Sequence, residues 1–496
     1  MVRQIGWLFL SGCTAVILTG CTLGPDFLRP EAPNVTQYTP EALPPETASA
    51  ETIAGDAQRF LNDADVPGRW WMLFGSPALN QLEEEALRAN PDVETAQATL
   101  RQAHENYLAE LGGLFPQVGV SASAAHEATS TGGRAASPAF DLFTAGPAVS
   151  YTPDVFGGIA RSIEAQAAAQ ENSRFQLEAT YLTLTSNVII TVIQAASLSA
   201  QIAATQDIIA DEQQLLDLLN QQFELGAVAR GDVLTQQSQL ALVQATLPPL
   251  QKQLEQTRYT LSTLVGRFPS QDQIPDIQLA DLALPRDLPL SVPSKLVEQR
   301  PDIRASEALM HEASAQIGVA DANMFPQFTV SGSVTNEANF VNQFFQGNPV
   351  WSIGASVTAP IFRGGTLRAQ ERAAYDAFDR TASQYKSTVL NAFSNVAGTL
   401  TALTLDADTL KTQLYAEQTA QQSLDIIQQQ FQAGAIAYLS LLDAQRTYEQ
   451  ARISLVIAQS NRFSDTVALF QSLGGGWWNR DDAPDIRNPA GIASSR

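Results

Sequence analysis

The sequence predicts a mainly α-helical fold with a small β part, internally duplicated, in which long coiled helices carry four β-strands per chain. Three observations predict it. Motifs recur at near-constant spacing: NPD at Asn90–Asp92 returns as RPD at Arg300–Asp302, and LFPQVGVSAS at Leu114–Ser123 as MFPQFTVSGS at Met324–Ser333, both 210 residues later. QQFELGAVARGDVL at Gln221–Leu234 returns as QQFQAGAIAYLSLL at Gln429–Leu442, 208 residues later. Two segments, 158–226 and 365–434, run almost without proline or turn signals, and as helix each spans roughly 100 Å. Finally, each copy contains two short stretches in which apolar and polar residues alternate, the period of a strand with one greasy and one wet face.

The chain is 496 residues long, 45% apolar and 16% charged, with a net charge of −22. No cluster of Lys or Arg appears, so nucleic acid is not an expected partner. Both cysteines, Cys13 and Cys21, lie at the N-terminus, which excludes a disulfide framework for the body of the protein. Arg3 followed by a short apolar run reads as a signal peptide over residues 1–20. LTGC, ending at Cys21, has the form of a bacterial lipidation site. LSGC at Cys13 has the same form behind a shorter apolar run, and an ordinary signal peptide with a chance cysteine is the alternative. The mature chain then starts at Cys21, and residues 21–69, rich in Pro, Glu and Thr, read as a lipid-anchored extended strap.

The first repeat covers 70–285. It opens with a helix over about 76–114, followed by a hairpin over 117–153 whose first strand is QVGVSASAA from Gln117. The long segment 158–226, a Gly-containing turn and a returning helix over about 227–266 complete it. The second repeat covers 286–477, with its hairpin at 327–360. There, Phe328, Val330 and Val334 alternate with Thr329, Ser331 and Ser333, and Trp351, Ile353, Ala355 and Val357 with Ser352, Gly354, Ser356 and Thr358. Strands of about ten residues tilted near 45° cover roughly 24 Å, the height of a membrane barrel's apolar band. Four strands cannot close a cylinder, and an open edge in lipid costs several kcal/mol for each unpaired backbone group. Copies must therefore complete the barrel, two giving eight strands and three giving twelve. A small soluble sandwich is the alternative, but no further strands are present to bury the apolar faces.

The second returning helix carries a heptad through Ala437, Leu441, Ala444, Tyr448, Ala451, Leu455 and Ala458. The first carries it in the same phase through Ala229, Val233, Gln236, Leu240, Val243, Leu247 and Leu250. A 3.5-residue repeat makes a narrow seam and a left-handed supercoil. Periodicity alone fits both a bundle and a wall around a lumen; the barrel strands favour the wall. Pro248–Pro249 predicts a kink or junction. The three histidines, His104, His126 and His311, are isolated, and no zincin motif, P-loop, dinucleotide fingerprint or nucleophile elbow occurs. Neither an enzyme, a cofactor nor a metal is expected. Residues 478–496 read as a flexible tail.

WWMLFGSPALNQLEEEALRANPDVETAQATLRQA (Trp70–Ala103), LFPQV, APIFRGG, YKSTVLNAFSNV (Tyr385–Val396), LLDAQRTY (Leu441–Tyr448) and ALFQSLGGGW (Ala468–Trp477) resemble the TolC and OprM outer-membrane efflux proteins, in particular the NodT-type lipoproteins. The resemblance implies a homotrimer with a twelve-stranded outer-membrane barrel and a helical periplasmic tunnel. It also implies a periplasmic adaptor and an inner-membrane pump, typically of the RND class, as partners. Cys21 becomes the lipidation site, and the turns at Gly226 and Gly434 become the tip that docks the adaptor and forms a gate. Asp232 matches a constriction aspartate and Asp443 a second acidic tip position, although both could be simple solvated charges. Phe431 and Ile436 stand where the family's best-known member places a gating tyrosine and arginine, which leaves Arg230 as a substitute partner for Asp232. A type I protein-secretion channel and a trimeric adhesin are the rival readings. An adhesin would place its four strands consecutively at the C-terminus.

Overall fold

A computed structural model describes residues 22–128, 139–271, 274–346 and 349–480. Cys21, the signal segment expected over residues 1–20 and the expected tail from residue 481 lie outside the described residues. Within them the order is β1 (Arg59–Asn62), α1 (Pro77–Ala89), α2 (Pro91–Leu111), β2 (Gln117–Glu127), β3 (Phe140–Tyr151), α3 (Gly158–Glu224) and α4 (Arg230–Leu264). Then come β4 (Asp287–Leu290), α5 (Pro293–Gln299), α6 (Pro301–Ala322), β5 (Gln327–Ala338), β6 (Val350–Thr358), α7 (Thr366–Gln432) and α8 (Tyr438–Ser472).

The duplication is visible in the lengths: α3 and α7 have 67 residues each, and α4 and α8 have 35 each. It extends to the joints. The single helix expected over 76–114 is broken, because Pro91 fits only the first turn of a helix and Asn90 is extended there. The Asn90 side chain accepts from the Asp92 N–H (2.8 Å) and donates to the Leu264 carbonyl (2.9 Å) at the end of α4. In the second copy Arg300 donates to the Ser472 carbonyl (3.0 Å) at the end of α8 and pairs with Asp302. Different side chains thus satisfy the same orphan carbonyl.

The prolines at 248 and 249 do not interrupt α4, which runs unbroken from Arg230 to Leu264. The carbonyls of Gln244 and Ala245, which lose their N–H partners, belong to exposed residues on the helix's open side. The apolar seam, meanwhile, continues unbroken through Leu247 and Leu250. α3 contains an 18-residue stretch with mean hydropathy 1.6, of which 56% is buried within the chain; most of that apolarity serves helix packing.

The chain forms two compact units, and each draws on both repeats. One comprises the chain up to Pro30 with Thr99–Arg174 and Ala305–Lys386; the other comprises Glu31–Ala98, Phe175–Arg304 and the chain from Ser387. The first holds a four-stranded antiparallel sheet of order β2-β3-β5-β6. The second holds a short parallel pair, β1 with β4, and a core that includes Trp70, Phe74, Phe463 and Phe470. Residues 478–480 of the expected tail are tied into it: Asn479 donates to the Val66 carbonyl (2.8 Å), and Arg480 pairs with the buried Glu178 (2.9 Å).

Candidate functional site

In the first unit the sheet is the functional surface. The two hairpins meet through β3 and β5, with Val149 opposite Gly332 and Ser150 opposite Ser331. The registers sort the side chains by face. Val118, Val120, Val149, Val330, Val334, Trp351, Ile353 and Val357 lie on one side. Ser121, Ser123, Thr144, Ser331, Ser333, Ser352 and Ser356 lie on the other, where Ser123 meets Thr144 at 2.7 Å and Ser333 meets Ser352 at 2.9 Å. Val120 is 80% and Ile353 78% exposed, so the apolar face has no cover among the described residues. A contiguous patch of this kind marks a membrane or protein contact. Among the described residues β2 and β6 are bonded on one side only, which leaves two open edges.

The same unit holds the start of the described chain. The Leu23 N–H donates to the Phe156 carbonyl (3.2 Å), a few residues beyond β3. The almost fully buried Arg161 side chain donates to the carbonyls of Leu23 (3.0 Å) and Gly24 (3.3 Å) and pairs with Asp26 (2.7 Å). Phe27 stacks on His311 at 4.4 Å, and His311 bonds Glu164 (2.9 Å), which Arg161 also holds. The residues directly after position 21 are therefore fastened to the foot of the sheet.

In the second unit the two helix–helix turns repeat in glycine φ and backbone hydrogen bonding. Gly226 and Gly434 have φ of +77° and +74°. Their turns close with Ala227 N–H to Gln222 O (2.8 Å) and Ala435 N–H to Gln430 O (2.9 Å), the Schellman arrangement that calls for a left-handed residue. Beneath the turns Leu215, Leu219, Phe431, Tyr438, Leu441 and Leu442 form a buried cluster, with Val233, Ile427 and Ile436 packed against it. Phe431 and Tyr438 meet edge to face at 6.2 Å. Phe431 and Ile436 thus supply apolar packing at the two positions where the resemblance expects polar gate residues.

The charged tip residues are placed differently. The Asp232 carboxylate accepts from the Ala229 N–H (3.2 Å), half of a capping box at the start of α4. Arg230 is exposed and forms no ion pair with Asp232 among the described residues, and Asp443 is exposed on α8. Sequence reasoning missed the polar links across the hairpins. Tyr438 Oη donates to Gln236 Oε1 (2.5 Å), and Gln236 Nε2 donates to the backbone oxygen (3.0 Å) and carboxylate of buried Glu212. Arg446 donates to Gln239 Oε1 (2.9 Å), and Arg452 pairs with Asp207. Burial raises the Tyr438 hydroxyl's pKa, so it stays a donor. A glutamine at a seam position of an otherwise apolar heptad was the available signal.

A two-faced sheet with open edges, joined to 67-residue helices, defines the protomer of an oligomeric outer-membrane β-barrel. The family model described as "Outer membrane efflux protein" matches residues 82–267 and again 292–475, and this chain belongs to that family. The pyoverdine export outer membrane protein OpmQ of Pseudomonas aeruginosa is 29% identical over 84% of this chain and 89% of its own length. Nodulation protein T of Rhizobium leguminosarum bv. trifolii is 26% identical over 93% and 96%. The solved outer-membrane channel OprN superposes with a TM-score of 0.82 at 26% identity, covering 92% of this chain and all of that one. The chain is the outer-membrane channel of a tripartite efflux system, a passive trimeric conduit for drugs or other small solutes. Three copies of the four-stranded sheet give its barrel, hydroxyl face inward and Val, Ile and Trp to lipid. It works with a periplasmic adaptor and an inner-membrane pump.

Proposed function

We propose that this channel is a lipoprotein acylated at Cys21 that serves an RND-class pump, docks its adaptor at the Gly226 and Gly434 turns, and narrows at the tip around Asp232, Asp443, Arg230 and Phe431. One observation carries the anchor. The Arg161 clamp on Leu23, Gly24 and Asp26 holds the chain beside the foot of β3, starting two residues after the cysteine, so acyl chains on Cys21 enter lipid next to the barrel. Anchoring there adds to the barrel's own insertion, each buried CH₂ contributing about 0.8 kcal/mol. The docking assignment draws on Leu225, which is 84% exposed beside Gly226, an apolar group offered at a turn. Lipid-anchored members of this family are the usual partners of RND pumps, which supports that pump class. Relatives are named for pyoverdine export, toluene efflux and cation efflux, so the cargo follows the pump rather than the conduit.

The test is a chromosomal deletion complemented with wild type or Cys21→Ser, challenged with antibiotics, dyes and detergents, alongside radiolabelled palmitate incorporation. Wild type restores resistance and takes up label; Cys21→Ser takes up none. Label on Cys21→Ser would refute the anchor. A cysteine at Leu225 that crosslinks to the adaptor supports docking there. At the tip, Asp232→Ala raises single-channel conductance, and an unchanged conductance would remove Asp232 from the gate.

A further inference from the structure

On the lipid face of the sheet the side chains leave an open groove of about 420 Å³. Its walls are Val118, Val149, Val334, Trp351 and Ile353, and its floor is Gly332. Large apolar residues stand on either side along that face of β5, Val330 before the glycine and Val334 after it. The registers run through Gly332 without a bulge, opposite Val149 on β3 and Ile353 on β6. A strand glycine that makes no bend marks the close approach of another group. A Cβ added there would meet Val149 Cγ1 at 3.4 Å and Ile353 Cγ1 at 3.9 Å, ordinary contacts, so crowding does not account for the missing side chain. The described chain begins at the foot of the same strands. Thr22 lies over Gly157, since a Cβ on that glycine would come within 2.6 Å of the Thr22 Cα, and the Leu23 N–H is bonded to the Phe156 carbonyl. The Phe156 ring in turn packs on Phe325 (4.9 Å) and Phe328 (6.4 Å between centroids). Phe328 shares the lipid face with Val330 and Gly332.

We propose that an acyl chain on Cys21 lies in this groove, packed along the strands of its own subunit. The slot rests on the lipoprotein reading above and gives its acyl group a seat. Reach and direction agree. Cys21 is one residue, about 3.8 Å, from Thr22, and Gly332 lies four residues up β5 from Phe328, about 13 Å. One leaflet of hydrocarbon is about 15 Å deep, the span of the acyl chain that fills it. The chemistry agrees as well: the walls offer branched aliphatic side chains and one indole, and no charged residue lines the groove. A phospholipid of the leaflet competes for the same space. The Arg161 clamp favours the tethered chain, because it fixes the chain's origin beside the groove and returns it there after each displacement.

The test uses the full-length trimer from cells fed a fatty acid with a diazirine near its methyl end, purified, irradiated and mapped by mass spectrometry. Wild type should give adducts that join the acylated N-terminal peptide to Val149, Trp351 or Ile353. Gly332→Leu fills the floor and should lower their yield severalfold while Cys21 keeps its label. Groove adducts that carry a phospholipid instead, or a Gly332→Leu yield equal to wild type, would overturn the slot. Label on Cys21 with no adduct on these strands would overturn the slot alone. No label on Cys21 would overturn the lipoprotein reading, and the slot with it. Should Gly332→Leu fail to assemble, Gly332→Val sets a smaller branched chain on the same floor, and the wild-type map decides by itself.

Discussion

Arg462 is fully buried in the second unit, and its substitution by methionine tests how the strap is held. Its guanidinium donates to the Leu403 carbonyl (2.9 Å) on α7 and the Asp56 carbonyl (3.1 Å) in the strap. Longer contacts reach Thr47 Oγ1 (3.3 Å) and the Ala54 carbonyl (3.5 Å). Only the first two are short enough to weigh fully. Hydrogen bonds from a charged donor contribute about 1.5–3 kcal/mol each, so their joint loss is about 3–6 kcal/mol. Removing a buried cation returns some desolvation energy; burial holds the Arg462 pKa below its ordinary value, and that cost disappears. Methionine fills similar volume without a cavity. The net destabilisation of strap docking is then about 2–4 kcal/mol, which opens the strap roughly 30- to 1,000-fold more often. Hydrogen exchange reads this directly. The amides of Thr47, Ala50 and Gly55 are bonded inside the strap, and should exchange faster by that factor, while the α8 core stays protected. Wild-type exchange in Arg462→Met would mean that the strap is held by its other contacts, such as buried Gln58 on Thr466 (2.9 Å), and would refute the assignment.

Three further outcomes are expected. Gly474→Ala should destabilise the second unit, because φ is +95° and the added Cβ lies 2.6 Å from the Gln299 carbonyl; thermal melting should show a loss of about 1–3 kcal/mol, and an unchanged midpoint would count against it. Asp465 is raised to about 7 by burial and then by the neighbouring Asp406 carboxyl. Its stabilisation is complete below the ordinary aspartate range and is lost as pH rises through about 7, so Asp465→Asn should flatten the dependence of melting temperature on pH. Ile353→Arg on the lipid face should cost about 2–4 kcal/mol near the bilayer midplane and lower the yield of heat-resistant trimer in gels, whereas Ser352→Arg on the hydroxyl face should assemble normally and reduce conductance.

The strands were legible because lipid and water impose opposite demands on successive residues. Thr329, Ser331 and Ser333 face one way and Phe328, Val330 and Val334 the other in the register itself. Heptads were legible for the same reason: buried Gln236, Leu240, Leu441 and Ala444 fall where the seam predicts. What escaped was set by partners distant in sequence. β1 and β4 are four residues each and pair across 228 positions, Arg59 with Asp287, too short to show a period. Pro248–Pro249 forms no junction, because the cost of proline depends on whether the freed carbonyls face solvent, and sequence does not state which side of a helix is open. Cys21 and the signal segment lie outside the described residues, so their reading still rests on composition and on the clamp beside them.

The tip links escaped for a different reason, and it bears on why the chain kept two unequal copies. Counterparts in the helical hairpins stand 208 residues apart. By that spacing Glu212 answers to Ala420 and Gln236 to Ala444, while Tyr438 answers to Arg230. Every member of the buried polar network is thus present in one copy only. The backbone shows the reverse. Gly226 and Gly434 agree in φ to a few degrees, and a Cβ added at Gly266 or Gly474 would lie 2.4 Å from the Ala89 carbonyl oxygen or 2.6 Å from that of Gln299. Turns and joints are preserved because a different φ or a larger side chain would break the hairpin in either copy. The polar network need not be doubled. A contact between unlike hairpins requires a donor on one and an acceptor on the other, as Tyr438 and Gln236 supply here. Divergence at these positions made the two hairpins complementary, and an apolar plug around Phe431 with one buried polar chain is the form that complementarity takes.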